Sequence, residues 1–237
     1  MILRSAFLIL VAALATAQDK PARAQAKVAL GKNDFINITV VKPKGYDKKK
    51  QYPVVFALSP GDGSAKMVDI SFSTYWEAEA WSRGYLVVCP ETVSAAALEL
   101  TDMATRFQAM VPAVFAWMDK NVSYDKKRVI LTGVSAGGSA MFHMAVAHSE
   151  RFCGLIGLPA ARLLKKPDDL KPLKGRPVWL LLGADDKPMK DSVEDTLAAL
   201  KAAGADATLE VLPGQGHVLA VEPKKLFDWM DALKPAK

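Results

Sequence analysis

Short apolar runs alternate with helix-like segments along most of the chain. Seven runs predict strands, each bounded by glycine, proline or charged residues: DFINITVVKP, YPVVFALS, YLVVCP, RVILTGV, FCGLIGLPA, VWLLLGA and ATLEVLPG. Most are apolar at successive positions, which is typical of parallel strands that helices cover on both faces. The pattern therefore predicts an α/β fold with a mostly parallel sheet and helices on both faces.

The segments between these runs place apolar residues at helical spacing. Helices are predicted directly after RVILTGV and over residues 75–83, 101–121, 192–203 and 226–233. The segment before residue 34 is polar, rich in lysine, alanine and glutamine, and is assigned no strand. Because neither a repeat nor a linker divides the pattern, we expect a single domain over residues 18–237.

The first 17 residues have the three parts of a secretory signal peptide. Arg4 supplies the positive start, residues 6–14 the apolar middle, and Ala15-Thr16-Ala17 the small-residue end. An uncleaved anchor is the alternative, although this run is shorter than the roughly 18 apolar residues that cross a bilayer. No later run reaches that length. We therefore expect a secreted or periplasmic mature chain without a membrane span.

The charge pattern argues against a nucleic-acid partner. The formal net charge is +6, but the lysines lie in scattered loop clusters such as Lys48-Lys49-Lys50, without interleaved aromatic residues or a nucleic-acid motif. Such clusters are typical of solvated faces. No group of His, Cys and Asp has the spacing of metal ligands, so neither a metal nor another cofactor is predicted.

One strand, RVILT, runs into Gly133-Val134-Ser135-Ala136-Gly137 and then directly into a helix. A G-x-S-x-G pattern by itself is often only a turn. Between a strand and a helix it is typical of a nucleophile elbow, because the glycines permit a sharp turn and a close approach of the helix. Such a turn lies at the carboxyl end of the strand, where parallel sheets gather functional groups. Ser135 is therefore the candidate nucleophile.

A serine hydroxyl needs a base to take its proton, and the chain has three histidines. His143 and His148 lie on the helix that follows Ser135, which carries them away from the elbow, so they are interpreted as packed or surface residues. His217 lies in the glycine-rich loop of LPGQGHVL after the last strand. A loop at that position can bring the imidazole to the edge of the sheet, so His217 is the candidate base.

An acid is needed to orient the base and to stabilise its protonated form. Asp185 and Asp186 both follow VWLLLGA directly. Each has an ordinary interpretation as a turn residue, and the residues alone leave the choice open. The chain order of Ser135, one of these aspartates and His217 is the order found in α/β-hydrolases.

These motifs resemble exported α/β-hydrolase esterases of the polyhydroxybutyrate-depolymerase, feruloyl-esterase and phospholipase/carboxylesterase type. The likeness spans roughly residues 33–233 and is strongest around Ser135, in WSRGYLVVCPE, YDKKRVILTGVSAGGSAM, VWLLLGADDKP and LPGQGHVL. It implies the α/β-hydrolase fold. In this family the acid stands three residues after the glycine that ends its strand, which implies Asp186.

The resemblance also implies an oxyanion hole made of two backbone amides. One belongs to Ala136 and the other to the loop after FALS, where this chain has SPGDGS in place of the usual His-Gly. The change of side chain is compatible with the role because backbone amides provide the stabilisation. Asp62 and Gly63 are the two candidates in that loop.

Two structural expectations follow from the family's strand order and spacing. Two strands separate Cys89 from Cys153, a gap of about 14 Å at about 4.8 Å per strand. Because a disulfide needs Cα atoms within about 7 Å, two free thiols are expected. The connection after GLIGLPA, which contains Lys165, Lys166, Asp168 and Asp169, is too short for a large lid, so we expect an open site.

The sequence thus predicts a secreted serine esterase that cleaves small-molecule or polymeric esters. Ser135 would form the acyl-enzyme, His217 would act as base and then acid, and Asp186 would orient His217. A serine peptidase of the prolyl-oligopeptidase-like type shares the elbow and the chain order and is one alternative. The other is a noncatalytic binding protein on a hydrolase scaffold, which the unusual SPGDGS loop would favour.

Overall fold

The computed structural model describes residues 20–32, 34–92, 100–162 and 167–236. The predicted signal peptide over residues 1–17 lies outside these ranges, as do Lys165 and Lys166. The described residues contain one eight-stranded sheet, made of β1 (Arg23–Ala29), β2 (Phe35–Val41), β3 (Val54–Leu58), β4 (Leu86–Pro90), β5 (Val129–Val134), β6 (Gly154–Leu158), β7 (Pro177–Gly183) and β8 (Asp206–Leu212).

Six α-helices connect or follow the strands in the described part of the chain. They are α1 (Ala65–Ser71), α2 (Glu77–Arg83), α3 (Leu100–Asn121), α4 (Ala136–Ala147), α5 (Lys187–Ala202) and α6 (Pro223–Asp231). A π-helical segment, Phe72–Trp76, joins α1 to α2, and α2 ends at Gly84, whose φ is 83°. A left-handed residue of this kind ends a helix, and glycine adopts it without a side-chain clash.

The strand order across the sheet is β1-β2-β4-β3-β5-β6-β7-β8. β2 runs antiparallel to both of its neighbours, and every other neighbouring pair is parallel. The prediction of a mostly parallel α/β sheet is therefore confirmed.

Each central strand contributes to two hydrophobic cores, one on each face of the sheet. In β3, Val54, Phe56 and Leu58 pack into the core that contains residues of α3, α4 and α5, whereas Val55 and Ala57 pack into the core that contains residues of α1, α2 and α6. Successive side chains of a strand point to opposite faces, so a strand between two helical layers must be apolar throughout. Complete burial of one such side chain contributes about 1.5–3 kcal/mol.

Strand register brings the carboxyl ends of the strands into line. Leu58 of β3 is opposite Gly133 of β5, and Val134 is opposite Leu158 of β6. Farther along the sheet, Gly183 at the end of β7 is opposite Leu212 at the end of β8. The loops that contain the candidate site residues therefore leave the same edge of the sheet.

Strand β1 was not predicted, because its sequence RAQAKVA alternates polar residues with mostly small apolar ones and has no run of large apolar side chains. It pairs only with β2 and lies at the edge of the sheet, where one face of the strand meets solvent. Arg23 anchors it across the fold by ion pairs of 2.9 Å to Asp69 and 2.8 Å to Glu77. A local pattern does not report contacts between residues so far apart in sequence.

Both cysteines are buried free thiols, as expected. Cys89 lies in β4 and Cys153 directly precedes β6, and β3 and β5 separate those two strands. Burial raises the pKa of Cys153 to about 11, which keeps this thiol protonated at neutral pH.

Within the described residues, no helix combines the length and the apolar character that a membrane crossing requires. The described part of the connection between β6 and β7 contains a 3-10 helix, Pro167–Leu173. Buried Leu170 and Leu173 pack that helix into the core shared with α4 and α5. The residues that the structure describes contain no large lid.

Candidate active site

Ser135 forms a sharp turn between β5 and α4. Its φ and ψ are 53° and −115°, and among the described residues it is the one non-glycine residue with a positive φ. A residue held in such a conformation costs about 1–3 kcal/mol and persists only where its surroundings enforce it. Here the amide of Ser135 donates hydrogen bonds to the carbonyl oxygens of Leu158 and Pro159, at 3.1 and 3.0 Å.

The two glycines of the elbow are required by close backbone packing. A Cβ atom on Gly137 would lie 2.5 Å from the carbonyl oxygens of both Leu58 and Ser59, and one on Gly133 would lie 2.4 Å from the carbonyl oxygen of Gly137. α4 can therefore start against the end of β3 only because these positions lack side chains. This contact aims the amino end of α4 at the loop after β3.

Ser135, His217 and Asp186 form one chain of hydrogen bonds. Ser135 Oγ lies 2.7 Å from His217 Nε2, and His217 Nδ1 lies 2.7 Å from Asp186 Oδ2. An ionised carboxylate can only accept, so Nδ1 carries the proton and Nε2 is left to accept from the serine hydroxyl. This tautomer is the one that a base acting on Ser135 needs.

Asp186 and His217, the candidate acid and base, differ in their exposure to solvent. The side chain of Asp186 is 3% exposed, whereas that of His217 is 44% exposed. Burial next to the imidazole makes the carboxylate a fixed partner, while the imidazole and the half-buried Ser135 remain accessible from solution. Ser135 and His217 are therefore open to solution at the carboxyl ends of the strands.

The structure separates the two adjacent aspartates. Asp185 is exposed, and its backbone amide donates a 2.8 Å hydrogen bond to the carbonyl oxygen of Gln215. Asp186 is buried, directly precedes α5 and contacts His217. The geometry thus brings together Ser135, Asp186 and His217, and leaves the side chain of Asp185 outside this chain of hydrogen bonds.

The three predicted oxyanion donors have different surroundings. Ala136 is the exposed first residue of α4, where backbone amides have no partner within the helix. The amide of Gly63 donates to the carbonyl oxygen of Pro60 at 3.2 Å, so in this conformation it is engaged within its own turn. The amide of Asp62 is therefore the better candidate in this loop for the second oxyanion donor.

The Asp62 carboxylate accepts a hydrogen bond at the start of α1. It accepts a 3.0 Å hydrogen bond from the amide of Ser64, the residue that precedes this helix. Hydrogen bonds from the side chain and then the backbone of Ser64 lower the pKa of Asp62. The charge therefore has a defined partner in the turn itself.

The other two histidines lie on or just after α4, away from this chain of hydrogen bonds. His143 is buried at 9% exposure, and His148 is half-buried. Burial lowers the pKa of His143 from its ordinary value of 6.5. His143 is therefore a packed residue, as one of the two interpretations anticipated.

Burial of His143 predicts an acid-sensitive contribution to stability. Because its pKa is lower in the folded state, the unfolded chain binds the proton more readily, and stability falls as the pH drops below about 6.5. The free energy of unfolding, measured by urea titration between pH 7.5 and 5, should decline less in His143→Gln than in the wild type. His143→Asn is a second replacement without a titrating ring and should show the same smaller decline as His143→Gln. Identical slopes in all three proteins would contradict this assignment.

Sequence reasoning did not identify two residues that hold the histidine loop. Gln215 bonds through its side chain to the backbone of Ala220, and Tyr75 of the π-helical segment donates a buried 2.9 Å hydrogen bond to the carbonyl oxygen of Leu219. Tyr75 and Leu219 are 144 positions apart, so no local pattern could indicate their contact. Among the described residues, no group of three or more His, Cys, Asp and Glu side chains could hold a metal ion.

Comparison with solved structures gives matches over most of the chain. A CE1 ferulic acid esterase from Anaeromyces mucronatus superposes with a TM-score of 0.73, 14% identity and 91% coverage of both chains. A dienelactone hydrolase from Anabaena variabilis superposes with a TM-score of 0.64 and 21% identity, over 90% of this chain and 94% of that one. At these identities the matches establish the fold, which is the α/β-hydrolase fold that the sequence predicted.

Comparison with curated sequences gives relatives that are much longer than this chain. Probable dipeptidyl-peptidase 5 of Aspergillus terreus is 33% identical over 108 residues, which cover 42% of this chain and 15% of that protein. The chain thus matches a small part of this relative. A family model, that of the dienelactone hydrolase family, matches residues 47–232, which include the elbow, both aspartates and the histidine loop. The chain belongs to the dienelactone hydrolase family.

Proposed function

We propose that this hydrolase is a serine esterase that cleaves carboxylic esters through an acyl-enzyme on Ser135. The observation that carries the proposal is the pair of 2.7 Å contacts from Ser135 to His217 and from His217 to Asp186, at an elbow with a strained φ. The esterases among the structural neighbours support an ester substrate.

The first half of the reaction transfers the acyl group to the enzyme. His217 Nε2 takes the hydroxyl proton of Ser135 while Oγ attacks the carbonyl carbon, and the carbonyl oxygen becomes an oxyanion. The amides of Ala136 and Asp62 are the proposed donors to that oxyanion. His217 then gives the proton to the leaving alcohol as the ester C–O bond breaks.

The second half regenerates the enzyme. A water molecule gives a proton to His217 Nε2 and attacks the acyl carbon, and the carboxylic acid leaves as the proton returns to Ser135 Oγ. Throughout, Asp186 holds the proton on Nδ1 and stabilises the imidazolium, because its buried carboxylate lies 2.7 Å away.

The experiment that tests this proposal compares ester and amide substrates of similar size. The wild type should hydrolyse p-nitrophenyl acetate and methyl ferulate more efficiently than a dipeptide p-nitroanilide, and a fluorophosphonate probe should label Ser135. Polyhydroxybutyrate in the same panel tests whether the exposed site accepts a polymer. Absence of both ester hydrolysis and labelling would favour the binding-protein alternative.

A peptidase is the second candidate, and the dipeptidyl-peptidase relatives are the observation that favours it. They match only 42% and 52% of this chain. A kcat/KM for the dipeptide p-nitroanilide above that for the esters would select the peptidase. We also propose export of the chain, and the amino-terminal sequence of the mature protein, expected to begin at Gln18, tests that proposal.

A further inference from the structure

The loop that carries His217 has little regular structure of its own. Ten residues, 213–222, connect β8 to α6 without a helix or a strand. His217 is exposed, and the neighbouring Val218 is 83% exposed, so side-chain packing does not fix this part of the loop. Leu219 and Val221, directly after it, are buried in the core next to α6 and anchor the following turn.

Gln215 closes the loop around His217 with its side chain. Its Oε1 accepts a 2.8 Å hydrogen bond from the amide of Ala220, and its Nε2 donates a 3.4 Å hydrogen bond to the carbonyl oxygen of the same residue. A side-chain amide suits this task because it supplies one acceptor and one donor, which here pair with the N–H and the C=O of a single residue. The two bonds join positions on either side of the histidine.

The backbone of Gln215 ties the same loop to the strand that precedes the acid. Its carbonyl oxygen accepts from the amide of Asp185, the residue next to Asp186, at 2.8 Å. A Cβ atom on Gly183, at the end of β7, would lie 2.3 Å from that carbonyl oxygen, so the loop lies directly against the strand end. Gln215 thus connects the end of β7, next to Asp186, to Ala220 on the other side of His217.

Tyr75 also holds the loop, but at a different point from the two hydrogen bonds between Gln215 and Ala220. Its hydroxyl reaches the carbonyl oxygen of Leu219, which is in the buried part of the turn. The peptide groups that span His217 itself are restrained by Gln215. Loss of the Gln215 side chain should therefore free the imidazole while Tyr75, Leu219 and Val221 keep the loop attached.

We propose that Gln215 is a positioning residue: the two hydrogen bonds from its side chain to Ala220 hold the His217 imidazole in line between Ser135 and Asp186. The inference rests on the proposed function, because its effect on rate requires His217 to act as the base. The alignment itself is independent of activity and can be observed through the proton on His217 Nδ1.

Gln215→Met tests the proposal, since methionine has a similar length but cannot form either hydrogen bond. Ester hydrolysis should show a kcat about 10- to 100-fold lower with KM nearly unchanged, because a misplacement of about 1 Å is enough for such a loss. Proton NMR should show the low-field signal of the Nδ1–H to Asp186 hydrogen bond in the wild type and a broadened or missing signal in Gln215→Met.

Gln51→Met is the matched control, because Gln51 is exposed in the loop before β3. It should keep the wild-type kcat and the low-field signal. A Gln215→Met enzyme with wild-type kcat and an intact signal would overturn the proposal, as would a lower kcat with an intact signal and a lower melting temperature. If the wild type showed no Ser135-dependent hydrolysis, the proposed function would fail, and the NMR signal alone would still decide the role of Gln215.

Discussion

Ser135→Ala should lower the kcat for ester hydrolysis by at least about 10⁴-fold. Without the hydroxyl no acyl-enzyme can form, and only the weak catalysis due to binding and oxyanion stabilisation remains. Alanine keeps the Cβ atom, so the elbow turn at φ 53° is strained to a similar degree in both proteins. We therefore expect the melting temperature to remain close to that of the wild type. The measurement is the rate with p-nitrophenyl acetate together with labelling by a fluorophosphonate.

Ser139→Ala is the matched control for this prediction. Ser139 lies one helical turn after the elbow, and its amide donates a 3.2 Å hydrogen bond to the carbonyl oxygen of Ser135. Its backbone bond survives the substitution, so both turnover and labelling should stay near wild type. Wild-type turnover in Ser135→Ala would end the assignment of the nucleophile, and loss of labelling in both variants would point to a distorted helix.

Much of the fold could be predicted because its strands are short and apolar. A strand between two helical layers must bury both faces, and this requirement is visible in runs such as VVFAL and VILTGV. The edge strand β1 has no such requirement, and RAQAKVA shows only a weak alternation of polar and small apolar residues in place of a continuous apolar run. The start of α5 was also placed too late: the helix begins at Lys187, with Pro188 in its first turn, rather than at residue 192. Proline fits that position because the first amides of a helix need no intrahelical partner.

The nucleophile of the candidate site was predictable, because a serine in a G-x-S-x-G pattern between a strand and a helix indicates one role. Ser135 follows a buried strand within a glycine pattern, and the glycines at 133 and 137 are explained because a Cβ atom there would lie 2.4 or 2.5 Å from a backbone carbonyl oxygen. The supporting residues were not predictable. Tyr75 reaches the histidine loop from a π-helical segment on another part of the chain, and the side-chain direction of Gln215 depends on the path of a loop without regular structure.

The residues alone leave the choice between the two aspartates open, whereas the family resemblance implies Asp186, the aspartate that contacts His217; this choice leads to the second large expected effect. Asp186→Asn should lower kcat by about 10⁴-fold, whereas Asp185→Asn should stay near wild type. An asparagine at position 186 can donate a hydrogen bond from its amide to His217 Nδ1. That contact favours the tautomer with the proton on Nε2, which cannot accept the proton of Ser135.

The two variants form a matched pair because they make the same chemical change at neighbouring positions. Asp186 is 4% exposed and bonded to His217, while the side chain of Asp185 is exposed and only its backbone bonds to Gln215. Substitution of Asp185 keeps that backbone bond, so the loop should hold its place. Rates of ester hydrolysis and of fluorophosphonate labelling should both rank Asp186→Asn far below Asp185→Asn. The opposite ranking would show that the acid is Asp185 and that the loop between β7 and α5 adopts a different register in solution.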